Sequence, residues 1–281
     1  MKLGKKTKER LRLNIMRILL ILVIAAYVLP FYWMVSTSLK SDRDLLLVPP
    51  KWFPVPPQWS NYRKALEFFP FFSYLMNSVI ITGGSLIGTL LTAPLVAYGF
   101  SKIRWPGRDF FFFLMLSTMM LPYAVTMIPT FIVFKKLGLV NTHWPLIIPS
   151  FCGGGAGNIF LIRQFFRTIP DEFLDAARVD GATELQIYWR IMLPLSKPVL
   201  LLVGLFTFIG SWNNYLGPLI YLTDERKYPL ALGLPAFLDR YGTYWNWMMA
   251  AATLSVIPIV AFFFFAQSYL IEGIKLSGLK E

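Results

Sequence analysis

Apolar residues in this chain form long stretches that are hydrophobic on every side. They do not follow the one-sided stripe of a soluble amphipathic helix. At 1.5 Å per residue, about 20 such residues cross a ~30 Å hydrocarbon core as one helix. Six stretches are long enough, at about 15–37, 73–100, 110–134, 146–166, 199–222 and 247–271. An all-α membrane protein with six transmembrane helices is therefore expected.

The stretches carry their own irregularities. The second contains Gly84-x-x-x-Gly88, with polar Asn77, Thr82, Ser85, Thr89 and Thr92. Small residues at that spacing let helices approach closely. The third contains Pro122 and Pro129, so a kinked or broken helix is expected there. Gly153-Gly154-Gly155-Ala156-Gly157 stands near the start of the fourth, and Pro258 lies inside the sixth. The first follows a basic tail and could be read as a signal peptide. It is longer than a signal h-region, and Tyr27, Pro30, Phe31, Tyr32 and Trp33 suit a cleavage site poorly, so a retained helix is expected.

Charge sets the orientation. Seven Lys and Arg lie up to residue 17, three in 101–109, five in 163–197 and two at the C-terminus, seventeen on one side against ten on the other. The positive-inside rule then puts both termini in the cytoplasm. The net charge of +12 would elsewhere suggest nucleic acid. Here the basic residues sit at the ends of apolar spans, where lipid headgroups account for them, so no nucleic-acid partner is expected. One cysteine, Cys152, makes neither a disulfide nor a zinc cage, and the single His143 has no triad around it. No catalytic or metal site is expected. A secondary transporter would need acids or bases within the membrane. Arg163 and Glu272 come nearest, and both lie towards span ends.

The loops on the two sides differ. Pro49 to Tyr62 is stiffened by prolines and carries Trp52 and Trp59, and Thr223 to Asn246 is rich in Tyr, Trp, Pro and Gly. These aromatics fit interfacial anchoring and contact with an external partner equally well. Between spans four and five lies a polar insert, 168–198. Thr168-Ile169-Pro170-Asp171 reads as a capping-box start to a short helix. That helix runs to about Asp180 and stops at Gly181. A second runs from Ala182 to about Met192, with Leu193-Pro194 expected to end it. Ala176 and Ala177 give the first helix a small face, ringed by Asp171, Glu172, Asp175, Asp180 and Glu184. A partner with arginines would be complementary, and a solvated surface loop is the alternative.

Asp175-Ala176-Ala177-x-x-Asp180-Gly181-Ala182, followed by Ile191, Leu193-Pro194 and Pro198, resembles the EAA signature of ABC-importer permeases. More narrowly, the chain resembles the second permease subunit of the maltose-type carbohydrate importers, over nearly its whole length. The likeness extends through Ala97-Tyr98-Gly99-Phe100-Ser101-Lys102-Ile103-Arg104-Trp105-Pro106-Gly107-Arg108 and Met120-Leu121-Pro122. It continues in 136–142, Phe165 to Pro170, Gly210-Ser211-Trp212-Asn213-Asn214-Tyr215 and Tyr241-Gly242-Thr243. Asp175 stands where the family usually has Glu, which keeps the charge and shortens its reach. The tail, 273–281, is less glycine-rich than the family's.

The resemblance implies a type I ABC-importer permease: a basic tail 1–14, a permease domain 15–272 with its coupling loop 168–198, and a cytoplasmic tail 273–281. The implied partners are a second permease subunit, two copies of a cytoplasmic ATPase, an extracytoplasmic sugar-binding protein and membrane lipid. The implied location is a prokaryotic plasma membrane. Asp175, Ala176, Ala177, Asp180, Gly181 and Ala182 would dock the ATPase. Trp212, Asn213, Asn214 and Tyr215 offer a sugar path, or else helix packing. No Gly-x-x-x-x-Gly-Lys-Ser/Thr occurs, so the chain is expected to be no enzyme and to bind no cofactor, with ATP and Mg on the partner ATPase. An ABC permease for another solute, or an ATPase-independent channel or secondary transporter, are the alternatives.

Overall fold

A computed structural model describes residues 5–239 and 242–278, with side-chain surroundings for 9–238 and 243–267. The principal helices are α1 (Lys5–Ser38), α2 (Ser60–Phe68), α3 (Phe71–Ser101), α4 (Arg108–Ser117), α5 (Tyr123–Lys136) and α6 (Ala156–Thr168). They continue as α7 (Glu172–Val179), α8 (Glu184–Ile187), α9 (Lys197–Trp212), α10 (Leu216–Tyr221) and α11 (Trp245–Gly278). Before α6 the chain makes a short turn of helix, Trp144–Ile147, and a 3-10 segment, Ile148–Cys152. The only strand pairing among the described residues is the two-residue ladder of Leu238–Asp239 with Gly242–Thr243.

Four helical stretches are long and apolar enough to cross a membrane: Glu9–Ser38, Phe71–Ser101, Trp144–Thr168 and Trp245–Gln267. The remaining two expected spans are not straight. Arg108–Met120 and Tyr123–Lys136 meet at 102°, and the fifth stretch starts at Lys197, where Lys197–Trp212 meets Glu184–Leu195 of the preceding insert at 78°. The first bend falls at Leu121-Pro122, where both residues turn extended. Pro122 lacks the N–H that a continuous helix would need there. Pro129 stays inside α5, so only one of the two prolines breaks the rod.

The fifth stretch departs further from the continuous helix expected over 199–222. Helix α9 ends at Trp212, and a separate α10 starts at Leu216. Local polar chemistry makes the break. The Asn213 N–H closes on the Ile209 carbonyl at 3.1 Å, and Asn214 Oδ1 accepts the Gly217 N–H at 3.0 Å. An asparagine side chain competing for backbone groups favours helix ends over helix interiors. Leu193-Pro194 likewise does not end the preceding helix. A π-helical turn, Tyr188–Met192, carries the chain through Pro194 to Leu195, and the break comes at Ser196. The wider turn accommodates a proline that a regular turn would exclude.

The chain divides into two units, one of residues up to 69 with 236–256, the other of 70–235 with the chain from 257 on. In the second, α3 is the centre, packed by α6, α9 and the 3-10 segment. Gly84 and Gly88 face that segment. A Cβ on Gly84 would lie 3.0 Å from Ile147, and one on Gly88 2.6 Å from the Phe151 ring. The close approach read from the Gly-x-x-x-Gly spacing is thus made, with the first half of the fourth stretch as the neighbour. The loop after α5 is clipped by Asn141, in left-handed conformation at φ 60°. Its Oδ1 accepts the Thr223 and Asp224 N–H groups, and its carbonyl takes the Lys227 ammonium at 2.7 Å. His143 Nε2 meets the Lys227 carbonyl at 2.9 Å, a structural role in a loop.

In the first unit, none of the most apolar window of α1 is buried. Its end is anchored. Asn61 donates to the carbonyls of Ser38 and Lys40, both at 2.9 Å, and Lys40 Nζ stands 3.7 Å from the Trp33 ring centre. The Trp52 carbonyl takes the hydroxyls of Tyr32 and Ser36. Phe68 stacks on Phe237 and Tyr244 on Trp247, and Phe68 meets the second pair at an angle. Part of the aromatic content of these loops is therefore spent on internal packing.

Candidate functional site

The insert 168–198 forms a compact, internally cross-braced head. Helix α7 closes with a Schellman motif: the Ala182 N–H reaches the Ala177 carbonyl at 2.9 Å and the Gly181 N–H reaches Arg178 at 3.0 Å. Gly181 sits at φ +79°, the left-handed position that only glycine takes without strain. Helix α8 then starts from a complete capping box, with Thr183 Oγ1 accepting the Gln186 N–H and Gln186 Oε1 accepting the Thr183 N–H. The capping box expected at Thr168–Asp171 does not form. Asp171 flanks α7 without a side-chain cap, because its carboxylate takes the Lys102 ammonium at 2.5 Å instead. The Thr183–Gln186 spacing is the capping box legible in the sequence that forms.

Beneath the head lies the main core of the second unit. Phe166, Leu174, Ile187, Tyr188 and Met192 are almost wholly buried there with Ala97 and Tyr98 of α3. Polar ties cross the same junction. The Tyr98 hydroxyl donates to Glu184 at 2.5 Å, and Lys102 also donates to the Ile169 carbonyl at 2.7 Å. Arg163 is buried near the end of α6, donating to the Phe100 carbonyl at 3.0 Å and lying over the Phe112 ring. A charged cleft of about 480 Å³ opens between the head and the end of α3, lined by Lys102, Arg104, Asp171, Asp175, Arg178 and Glu184.

The acids ringing the head are largely spent internally. Arg178 bridges Asp175 and Glu184, each at 2.8 Å, and Lys102 neutralises Asp171. The Arg178 guanidinium holds the Glu184 carboxyl below its ordinary range, with the Tyr98 hydroxyl contributing; Lys102 does the same for Asp171. Of the five acids, Glu172 and Asp180 have no ion pair among the described residues. The alanine pair is also divided: Ala176 is exposed, while Ala177 and Ala182 pack inward on the core. Four large apolar side chains of the head are exposed among its polar ones. Phe173 is 57% exposed, Val179 89%, Leu185 61% and Trp189 54%. Sequence reasoning passed over these four, because isolated apolar residues in a helical pattern read first as core.

The four residues of the expected sugar path are not brought together as one surface. Trp212 is buried, its ring stacked on Phe208 at 5.4 Å, and Phe208 stacks in turn on Phe262. Asn213 is exposed and donates to the Ile209 carbonyl at 3.0 Å. Asn214 caps α10 through Gly217, and Tyr215 is exposed. Among the described residues no cluster of three or more His, Cys, Asp or Glu could hold a metal ion. Residues 279–281 and the side chains from 268 on, which include most of the expected tail contact, lie outside the described residues, as does Tyr241.

Comparison with known proteins places this architecture. Residues 84–276 match the family described as binding-protein-dependent transport system inner membrane component. A probable ABC transporter permease protein, YurM of Bacillus subtilis, is 33% identical over 94% of this chain and 87% of its own. The arabinooligosaccharides transport system permease protein AraQ of Halalkalibacterium halodurans is 36% identical over 75% of each chain. The sn-glycerol-3-phosphate transport system permease protein UgpE of Yersinia enterocolitica is 33% identical over 92% of this chain and 94% of its own. A chain of a bacterial ABC transporter that imports the acidic polysaccharide alginate superposes with TM-score 0.79 at 28% identity, over 96% of this chain and 99% of that one.

Proposed function

The chain belongs to the family of binding-protein-dependent transport system inner membrane components, and from that premise we propose that it is the moving wall of an ATP-driven importer for sugars or oligosaccharides. Its family and its long apolar helices support the reading as an inner-membrane permease subunit. In this reading 108–136 and 197–221 each count as one broken span, giving six, and both termini face the cytoplasm. A second permease subunit completes the pathway, two copies of an ATPase hydrolyse ATP with Mg, and an extracytoplasmic binding protein delivers the sugar.

The observation that carries the coupling role is the exposure of four large apolar side chains on the head, Phe173, Val179, Leu185 and Trp189, above a packed core. A soluble loop at a membrane surface has no reason to hold four large apolar side chains in water, whereas a docking surface does. Asp175, Ala176, Asp180 and Gly181 are exposed on the same head, while Ala177 and Ala182 pack on the core. Acidic complementarity contributes less than the sequence suggests, since Arg178 and Lys102 already satisfy three of the acids.

The mechanism follows from the connections. When the ATPase pair closes, it carries the head with it. The Tyr98–Glu184 and Lys102–Asp171 ties, with the shared core, pass that displacement to α3 and α6. Rigid tilting of the spans then exchanges outward for inward access. Binding-protein docking and ATP binding must favour the same state for the cycle to be coupled.

The test uses Val179→Glu in the complete importer, purified by a tag on this chain. Val179 is 89% exposed, so the substitution costs the fold little. The expected result is normal membrane insertion with loss of the ATPase from the purified complex and loss of sugar-stimulated ATP hydrolysis. Full retention of the ATPase together with normal uptake would remove the head from the docking role.

A further inference from the structure

Within the second unit a polar chamber of about 310 Å³ lies between α3, the segment leading into α6, and α9. Its size is at the lower end of small-molecule pockets, about 300–1,000 Å³. Hydroxyl and amide groups come from all three sides: Ser85 and Thr89, Ser150 and Asn158, Thr207 and Ser211. Asn214 also lines it, and Phe206, half exposed, offers a flat apolar face. No charged side chain lines it.

Two features set the chamber apart from a packing defect. The first is unmet hydrogen bonding. Thr89 is 1% exposed, and neither its hydroxyl nor that of Thr207 has a hydrogen-bond partner among the described residues. Buried hydroxyls are normally satisfied, and an exception calls for a missing partner. The second is a backbone that closes tightly on Thr89 and leaves no space for a side chain there. Gly154 holds φ +62°, and a Cβ there would fall 2.4 Å from Thr89 Oγ1. The neighbouring Gly153 N–H is tied to Thr92 Oγ1 at 3.0 Å, which fixes the glycine run against α3.

We propose that this chamber is a subsite of the transport path for one ring of a neutral, polyhydroxylated solute, held by this chain itself. Unpaired hydroxyls beside an aromatic face suit a sugar ring, which presents hydroxyls at its rim and C–H bonds on its faces. The absence of lysine, arginine and histidine from the lining leaves nothing on this wall to neutralise a phosphate or carboxylate, so the ring bound here is uncharged. This inference rests on the importer reading. It moves the sugar contact from the Trp212–Tyr215 run to Thr89, Asn158, Thr207 and Ser211, with Asn214 alone shared.

The experiment uses the complete importer in cells lacking the native one. They are supplied with a pool of neutral mono-, di- and trisaccharides, and separately with sn-glycerol 3-phosphate, with depletion read by mass spectrometry. Thr89→Val and Thr207→Val each remove one unpartnered hydroxyl at nearly constant shape. The expected result is a roughly three- to tenfold loss of uptake at sub-saturating sugar, a near-normal saturating rate, and an unchanged amount of assembled complex. Wild-type kinetics in both variants, or a loss of assembled complex in place of a kinetic change, would overturn the subsite. Carriage of the phosphate alone would overturn its neutrality. If the unaltered importer depleted neither probe, the carbohydrate reading itself would fall, an outcome distinct from failure of the subsite.

Discussion

Glu184 accepts the Arg178 Nε at 2.8 Å on one carboxylate oxygen and the Tyr98 hydroxyl at 2.5 Å on the other. Both partners favour the ionised form, so its folded pKa lies below the unfolded value. A depressed carboxyl stabilises the fold above its unfolded pKa, and that contribution is lost as pH falls through the folded one. Asp171, held down by Lys102, follows the same sign. Hydrogen-exchange protection of 172–195 should therefore be flat above about pH 5 and fall below about pH 4. Glu184→Gln should lower protection at neutral pH and flatten the acid limb. An acid limb unchanged in that variant would show that Glu184 does not hold the head. At this scale the sequence was legible where backbone geometry dictates residue type: Gly181 was read as a left-handed stop and takes φ +79°. It was not legible where a side chain chose between partners. Asp171 could cap its own helix or meet Lys102, sixty-nine residues away, and nothing local decides between them.

Among the helices, long apolar stretches were readable as spans because hydrocarbon demands a minimum length. Their interiors were less so. Pro122 breaks its helix and Pro129 does not, and only the surroundings of the freed carbonyls distinguish them. The break after Trp212 was missed because Asn213-Asn214 reads equally as polar glue inside a span. The Gly84-x-x-x-Gly88 spacing was read correctly, and its packing makes a quantitative contrast possible. Gly88→Ala would force a methyl to 2.6 Å from the Phe151 ring and 3.0 Å from its backbone nitrogen. Overpacking of that kind costs about 1–3 kcal/mol. A Cβ on Gly83, five residues earlier on the same helix, meets nothing within 4 Å, so Gly83→Ala should leave stability unchanged or raise it by up to about 1 kcal/mol. The temperature at which each detergent-solubilised variant leaves its monodisperse peak should fall for Gly88→Ala and hold or rise for Gly83→Ala. Equal behaviour of the two would mean that α3 does not depend on close contact with the segment Ile148–Cys152.

For the molecule as a whole, orientation decides which surfaces meet which partners. The head 168–198 and the loop 223–246 leave different ends of α6, α9 and α10, and the coupling reading requires the first in the cytoplasm and the second outside. Charge supports this, with seventeen Lys and Arg against ten, but the weaker side keeps a substantial share. Some of that share is structurally committed. Lys227 is bound to the Asn141 carbonyl, Lys51 to Asp44 and Arg226 to Asp224, so these cations have local work that lipid headgroups need not explain. Lys102 and Arg178 on the other side are committed in the same way, so the reading rests on the full count of seventeen against ten. Single cysteines at two exposed positions, Glu225→Cys and Asp180→Cys, test it in a Cys152→Ser background, since Cys152 is itself exposed. An impermeant maleimide on intact cells should label the Glu225→Cys protein and spare Asp180→Cys. The second should become reactive only in permeabilised membranes stripped of ATPase, because a docked partner would cover it from the same side. Labelling of Asp180→Cys in intact cells would invert the molecule. The apolar head would then face the binding protein, and the ATPase would have to engage the Asn141-clipped loop, whose hydrogen bonds are already closed upon themselves.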